Sequence, residues 1–362
     1  MTTEKDLVYM GQALDLARKA VGRISPNPMV GSIVVQDGSV VGRGYYHEYG
    51  AQHAEPQALL DASGQTRGAV MYVTLEPCCH QGKTPPCTKA IINAGIESVY
   101  IAMVDPDPRV SGKGIEQLRA AGISVDIGLL EAEAQDLNKT YIHHRKSGNP
   151  YVSLKLAQTL DGCIAAQNGS SKWISGKAAR DRVHLMRSRV DAVLIGIETL
   201  LKDDPQLTVR HVDGRQPRRV VLDSLARTPI NARLLTNEAP TTIFVSNKAS
   251  SERIEELRRV GADVMVMPDD NGRIRLESVK YELGKSGITT LLVEGGRQVA
   301  TSFLREGAVD NITFFVSPRL LGKGISSVGD LKINDLSEAL VLEDWNVEVL
   351  GEDILITATP QN

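Results

Sequence analysis

The feature that most restricts this chain is a set of soft metal donors confined to two short segments: His53-Ala54-Glu55, then Pro77-Cys78 and Cys87. A fold must carry those segments together before the groups can act at once. One imidazole and two thiolates make a three-ligand zinc site whose fourth position stays open for water, the arrangement of catalytic rather than structural zinc. Glu55 has a different task. Two residues from His53, in a helix's expected first turn, it reaches the bound water without serving as a ligand. Zinc lowers the pKa of its water from about 15.7 to roughly 7, and a carboxylic acid alongside shuttles a proton to a departing amine. Three of the four cysteines (Cys78, Cys79, Cys87) fall within ten residues, which suits metal chemistry better than a disulfide framework. Cys79 and His80 are rival ligands, and Cys78 is preferred because it directly follows Pro77 at the expected strand end.

Histidine, one residue, then glutamate, followed by Pro-Cys and a second cysteine, is the pattern of zinc-dependent deaminases. Here eight residues, Cys79 to Pro86, separate the two cysteines where that pattern has two. A deaminase of nucleic acid would need a basic, aromatic-rich surface. This chain has a net charge of −3 and 4% aromatic residues, so a small heterocycle is the expected substrate. No stretch approaches the ~20 apolar residues of a membrane span and the N-terminus lacks a signal pattern, so a cytoplasmic location is expected.

With 362 residues the chain fits two domains. Leu7, Met10, Leu14 and Ala17 share one helical face, giving a first helix that ends near Gly22. Asp37-Gly38 between Ile33–Val35 and Val40–Val41 predicts a hairpin. Strand-like runs at 70–74 and 99–103 alternate with helical stretches, which predicts a three-layer α/β/α domain. A last helix over 131–146 runs into Ser147-Gly148-Asn149-Pro150, a breaker cluster that marks the boundary. The expected domains are 1–147 and 150–362. The second restarts at 151–157, continues with strand candidates at 192–196, 219–223, 242–246, 263–267, 290–294 and 311–317, and closes in a hairpin over 347–358.

Read with their surroundings, these residues resemble the bacterial bifunctional deaminase-reductases of riboflavin biosynthesis. Thr74-Leu75-Glu76-Pro77-Cys78, His80 and Gly82-Lys83-Thr84-Pro85-Pro86-Cys87 look like that family's zinc motif, its ligands spread by a substrate loop, and Ser25-Pro26-Asn27-Pro28 matches its early substrate loop. The second half is similar through Lys155, Thr159-Leu160-Asp161-Gly162, Ser171-Lys172-Trp173-Ile174, Asp203-Asp204-Pro205, Val293-Glu294-Gly295-Gly296 and Ser317-Pro318.

The resemblance implies an N-terminal cytidine-deaminase-like domain that removes the 2-amino group from a diaminopyrimidinone bearing a ribosylamino 5′-phosphate. It implies a C-terminal dihydrofolate-reductase-like α/β domain that then reduces the ribosyl chain to ribityl with NADPH. Carried over position by position, zinc would lie on His53, Cys78 and Cys87 with Glu55 as the catalytic acid and base, and Asn27 and Lys83 would contact the first substrate. Ala157, Trp173, Thr199, Asp203, Ser224, Gly295 and Gly296 would lie along NADPH. Lys155, Ser171, Arg187, Leu207, Arg210 and Glu294 would lie along the reductase substrate, with Arg187 and Arg210 able to clamp its phosphate. A homo-oligomer, tetramer or dimer, is also implied. Three positions depart from the family: Pro56 after the zinc-site glutamate, Cys163 where a basic residue is usual, and Gly44-Tyr45-Tyr46-His47, which shifts the expected substrate histidine by one. The alternative is a single-activity nucleobase or nucleoside deaminase whose second half only binds a ligand.

Overall fold

The computed structural model describes residues 3–270 and 272–361. It divides into two compact units, Met1–Gly148 and Asn149–Asn362.

In the first unit, α1 (Glu4–Arg18) is followed by β1 (Gly31–Gln36), β2 (Ser39–Tyr45), α2 (Ala54–Asp61), β3 (Val70–Val73), α3 (Cys87–Asn93), β4 (Ser98–Ile101), α4 (Lys113–Ala120), β5 (Ser124–Ile127), α5 (Glu131–Leu137) and α6 (Lys139–Ser147). The strands form one sheet in the order β2-β1-β3-β4-β5. β1 runs antiparallel to both neighbours, and β3, β4 and β5 are parallel. The expected hairpin is present, with φ of 50° at Asp37 and 77° at Gly38, the paired positive values a type I′ turn requires. Alternate strand residues serve opposite faces. Val34, Met71 and Val73 pack under α2, α3 and α4, whereas Ile33, Val35 and Tyr72 pack under α1 and α5.

Two details correct the sequence reading. Leu7 is 42% exposed, and the buried face of α1 is Asp6, Met10, Ala13, Leu14 and Ala17. Asp6 is drawn inward because its carboxylate accepts from the Thr3 backbone in a capping box and from the Tyr72 hydroxyl at 2.6 Å. The single helix expected over 131–146 is broken at Asn138, whose buried amide bonds both the N–H (2.8 Å) and the C=O (3.0 Å) of Met29. The break ties the loop carrying Asn27 to the body of the unit.

The second unit comprises β6 (Tyr151–Thr159), β7 (Cys163–Ala166), α7 (Lys177–Ser188), β8 (Ala192–Gly196), α8 (Ile197–Asp203), β9 (Arg218–Leu222), β10 (Thr241–Ser246), α9 (Ser251–Arg259), β11 (Asp263–Met267), the short β12 (Asp269–Asp270) and β13 (Arg273–Ile274), α10 (Leu276–Lys285), β14 (Thr290–Val293), α11 (Arg297–Arg305), β15 (Asn311–Ser317), β16 (Gly324–Ser326), β17 (Leu342–Leu350) and β18 (Asp353–Pro360). Nine strands form a sheet ordered β11-β10-β9-β8-β14-β6-β15-β18-β17, parallel from β11 to β15 and closed by the antiparallel β17–β18 hairpin. Val193, Ile195 and Val221 face α8 and α9, while Leu154, Leu291 and Val293 face α10 and α11 around the fully buried Phe303. Truncating such a phenylalanine to alanine costs about 3–5 kcal/mol. Between β8 and β14 the parallel strands present their carboxyl ends to one crevice, the usual ligand position in open α/β sheets.

Candidate active sites

In the first unit His53 caps α2, Cys78 follows β3 in a loop, and Cys87 opens α3. Their ligand atoms lie within 4.8 Å of one another. His53 Nδ1 is 3.6 Å from Cys78 Sγ and 3.3 Å from Cys87 Sγ, and the Cys87 backbone N–H donates to Cys78 Sγ at 3.4 Å. Hydrogen bonding from Cys87, then His53, holds the Cys78 thiol well below the usual range. Two thiolates and an imidazole, borderline-soft donors in a compact triangle, fit Zn²⁺. Glu55, only 3% exposed, stands in the first turn of α2, and burial pushes its carboxyl up to about 7. The rivals fall elsewhere: Cys79 Sγ turns to the Arg109 carbonyl at 3.7 Å, and His80 lines the cavity outside the triad.

Close packing sets this geometry. A Cβ on Gly44 of β2 would stand 2.1 Å from the Ala54 carbonyl, so only glycine lets α2, with His53 and Glu55, lie this near the sheet. Beneath Cys78, the buried Glu76 carboxylate accepts from the N–H groups of Asp105, Gly112, Gly114 and Ile115, locking the loop after β4 and the start of α4 to the zinc-motif strand.

The triad opens into a cavity of about 230 Å³ lined by Asn27, Tyr46, Lys83, Asp105, Arg109 and Arg145, among others. Lys83 Nζ lies 3.9 Å over the Tyr49 ring. Asp107 chelates Arg109 at 3.0 and 2.6 Å with Arg145 at 3.7 Å, and the Arg109 hydrogen bond holds its carboxyl at about 2. Burial raises Asp105 to about 6, where it accepts from the Tyr141 hydroxyl at 2.9 Å. Sequence reasoning missed this acidic and basic wall. The paired acids of Asp105-Pro106-Asp107-Pro108 directly after a strand were a usable signal, whereas Arg145 in a helix's last turn reads as an ordinary solvated cation. His47, the displaced family histidine, bonds Gln57 at 3.3 Å, and the cavity wall is formed by Tyr46.

In the second unit a crevice of about 690 Å³ gathers Lys155, Ala157, Ser171, Trp173, Arg187, Thr199, Asp203, Leu207, Arg210 and Glu294 with Gly295 and Gly296. Ser224 stands outside this lining, at the end of β9, where its carbonyl accepts from Ser246. Arg187 forks onto Glu294 at 2.6 and 3.0 Å, and Lys155 Nζ lies 3.6 Å from the same carboxylate. Burial alone would raise Glu294, but Arg187 and Lys155 outweigh it and hold the carboxyl at about 2. Burial pulls Lys155 below the usual ammonium range. The fork of Arg187, one of the two arginines expected to clamp a phosphate, is thus paired within the protein. Among the described residues the Arg210 side chain bonds the neutral oxygens of Gln206 (2.6 Å) and Thr208 (2.9 Å). Trp173, 63% exposed, lies at the crevice with Arg180 4.8 Å over its ring. A Cβ on Gly295 would stand 2.5 Å from Val299 Cβ, and the Gly296 N–H donates to Thr199 Oγ1 at 3.2 Å. Glycine at 295 is thus required by the packing of α11, and with Gly296 it lines the crevice at that helix's N-terminus.

An open metal triad flanked by a carboxylic acid is the equipment of hydrolytic deaminases, and a crevice at the carboxyl ends of a parallel sheet is that of dinucleotide-dependent enzymes. The chain is therefore of the class that joins a cytidine-deaminase-like domain to a dihydrofolate-reductase-like one. Residues 3–103 match the cytidine and deoxycytidylate deaminase zinc-binding region, and residues 150–356 match the RibD C-terminal domain. The chain is 45% identical to the riboflavin biosynthesis protein RibD of Aquifex aeolicus (98% of this chain, 99% of the relative) and 37% identical to that of Escherichia coli (97% and 98%). Among solved structures it resembles Acinetobacter baumannii RibD (TM-score 0.91, 36% identity, 99% of each chain). It also resembles the diaminohydroxyphosphoribosylaminopyrimidine deaminase/5-amino-6-(5-phosphoribosylamino)uracil reductase of Thermotoga maritima (TM-score 0.86, 38% identity, 98% of each chain). The chain belongs to the RibD family, bifunctional enzymes with a zinc-dependent deaminase and an NADPH-dependent reductase domain. A single-activity deaminase with an inert second half is not favoured by these matches. No helix among the described residues is long and apolar enough to cross a membrane.

Proposed function

We propose that residues 1–147 deaminate 2,5-diamino-6-ribosylamino-4(3H)-pyrimidinone 5′-phosphate and that residues 150–362 reduce the ribosyl chain of the product, in a cytoplasmic homo-oligomer. The observation that carries the first half is the convergence of His53, Cys78 and Cys87 beside the buried Glu55.

Zinc, held by those three residues, would supply Lewis acidity that makes water nucleophilic at neutral pH. Glu55, in the first turn of α2, carries two protons in turn: one from the attacking water to the ring nitrogen beside the amino-bearing carbon, and a second from the hydroxyl then on that carbon to the amine, which leaves as ammonia as the carbonyl forms. Asn27, fixed through the Asn138–Met29 clamp, orients the heterocycle. Lys83, held over Tyr49, offers an ammonium to the phosphate.

In the second half NADPH would supply the hydride, lying along Ala157, Trp173, Thr199, Asp203, Gly295 and Gly296, with Ser224 beyond the crevice toward its far end. Arg210 takes the substrate phosphate, beside Ser171 and Leu207. Lys155, kept charged by Glu294 while burial favours its neutral form, is placed to donate a proton to the sugar as its C1′ is reduced. Arg187 acts by holding Glu294.

The test is one zinc-loaded sample given the diaminopyrimidinone ribosylamino phosphate, with ammonia release and NADPH oxidation recorded separately. Ammonia appearing first, followed by oxidation, is the expected result. Ammonia without oxidation overturns the reductase assignment, and oxidation without ammonia overturns the deaminase one.

A further inference from the structure

The Tyr46 side chain is used by neither half of the mechanism above, yet it is part of the deaminase cavity wall. The residue is 3% exposed, its ring seated among Ala20, Ile24, Met29 and Ala51. It lies edge-on to the metal-site imidazole of His53, with 5.4 Å between ring centroids. Its hydroxyl oxygen accepts two hydrogen bonds, from Asn27 Nδ2 at 2.8 Å and from the Gly50 backbone N–H at 2.7 Å. A phenol has one proton to donate as well, and among the described residues Tyr46 donates it to none. With the Asn27 amide turned this way, its carbonyl oxygen is left to accept. A buried donor without a partner is costly, and the wall that holds this one is where a substrate must lie.

We propose that Tyr46 is a specificity-determining contact of the deaminase. Its O–H donates to the ring carbonyl of the pyrimidinone, while the Asn27 carbonyl accepts the adjacent ring N–H. A lactam edge presents that acceptor and donor side by side, next to the carbon that carries the amino group. The edge belongs against the wall nearest His53, and the phosphate belongs against the cations that also line the cavity, Lys83, Arg109 and Arg145. The same hydroxyl clips Gly50, two residues from the loop's start at Glu48, so the contact and the loop that brings Tyr49 under Lys83 are set by one atom. The chain's departure from the family at this position is thereby a replacement of the contact by tyrosine, with His47 turned away to Gln57.

This inference rests on the deaminase reading, and its test separates the two. Wild type, Tyr46→Phe, Asn27→Ala and the double variant are compared for kcat/KM of ammonia release, with zinc content and the rate of NADPH oxidation on predeaminated substrate measured in each. Tyr46→Phe is expected to lower kcat/KM by about tenfold or more, the loss of one buried hydrogen bond, with zinc content and the reductase rate unchanged. In the Asn27→Ala background, Tyr46→Phe is expected to lower it again by at least severalfold. If Asn27→Ala and the double variant are equal, Tyr46 is only a strut for Asn27 and the proposal is wrong. Equal rates for wild type and Tyr46→Phe overturn it as well. If wild type itself releases no ammonia, the deaminase reading fails first and the contact falls with it.

Discussion

The two sites solve charge balance in opposite ways. The zinc-type site brings together two thiols and an imidazole from positions at most 34 apart, and its balance depends on an ion supplied from outside. The reductase crevice buries Lys155, Arg187 and Glu294, with the carboxylate and its arginine 107 positions apart, and these groups neutralise one another within the protein. A site completed by an added ion can be written in a short motif. A site completed by its own ion pairs must be assembled by the whole fold.

The sharpest way to break this contrast is at Glu55. Glu55→Gln keeps the size of the side chain and removes its proton traffic, so ammonia release is expected to fall by about 10²–10⁴-fold, the usual worth of a general acid and base. Bound zinc and NADPH oxidation on predeaminated substrate should stay at wild-type levels. Retained ammonia release with zinc bound would remove Glu55 from the mechanism. Chelation is the matching control: it should silence ammonia release and spare NADPH oxidation, because only one of the two sites borrows its charge balance.

On the other side, Glu294→Ala leaves two buried cations facing each other. Removing one partner of a buried pair costs about 3–5 kcal/mol, read as loss of urea stability in the second unit, with reductase activity falling and ammonia release retained. An unchanged midpoint would mean that solvent in the crevice already screens Lys155 and Arg187. Next in size is Gly44→Ala. Its Cβ meets the Ala54 carbonyl at 2.1 Å, so α2 must shift and take His53 and Glu55 with it. A displacement of that order in a catalytic pair lowers ammonia release by roughly 10- to 100-fold, with the reductase as internal reference.

The same contrast governs what was legible in the sequence. His53, Glu55, Cys78 and Cys87 announce themselves because donor type and spacing carry the chemistry, and the Asp37-Gly38 turn and the alternating apolar runs announce the layers around them. The internal pairing of Arg187 with Glu294 had no local signal, since neither residue's neighbours say that a strand end and α7 will meet. Arg187 therefore read as a phosphate clamp. Leu7 and Asp6 exchange places for a related reason: helical periodicity gives the apolar stripe but not the capping box and the Tyr72 hydroxyl that make a buried aspartate favourable. Tyr46 carries no local signal either: a tyrosine after a strand reads as packing, and only the fold brings its hydroxyl to Asn27 and the Gly50 N–H.

The smallest expected effect separates the units by pH. In the first unit burial raises Asp105 from 3.8 to about 6, so the native state binds its proton more tightly than the unfolded chain. That contribution is fully present below about pH 3.8 and is lost as pH rises through 6. In the second unit Arg187 and Lys155 outweigh burial and depress Glu294 from 4.5 to about 2, so its contribution is present above about pH 4.5 and is lost as pH falls through 2. Each group adds at most about 1.4 kcal/mol per pH unit. Between pH 6.5 and 4.5 acidification should therefore strengthen the first unit through Asp105, and with the same sign through Glu55, which burial raises to about 7, while Glu294 leaves the second unchanged, and below pH 4.5 the second should weaken. Hydrogen exchange followed separately in β4 and β14 reads the two trends in one sample. Asp105→Asn should reduce the first slope to the part Glu55 supplies without touching the second, and Glu294→Gln should flatten the second without touching the first. If Asp105→Asn keeps the full slope in β4, the proton lies on the other carboxyl that burial raises in this unit, Glu55.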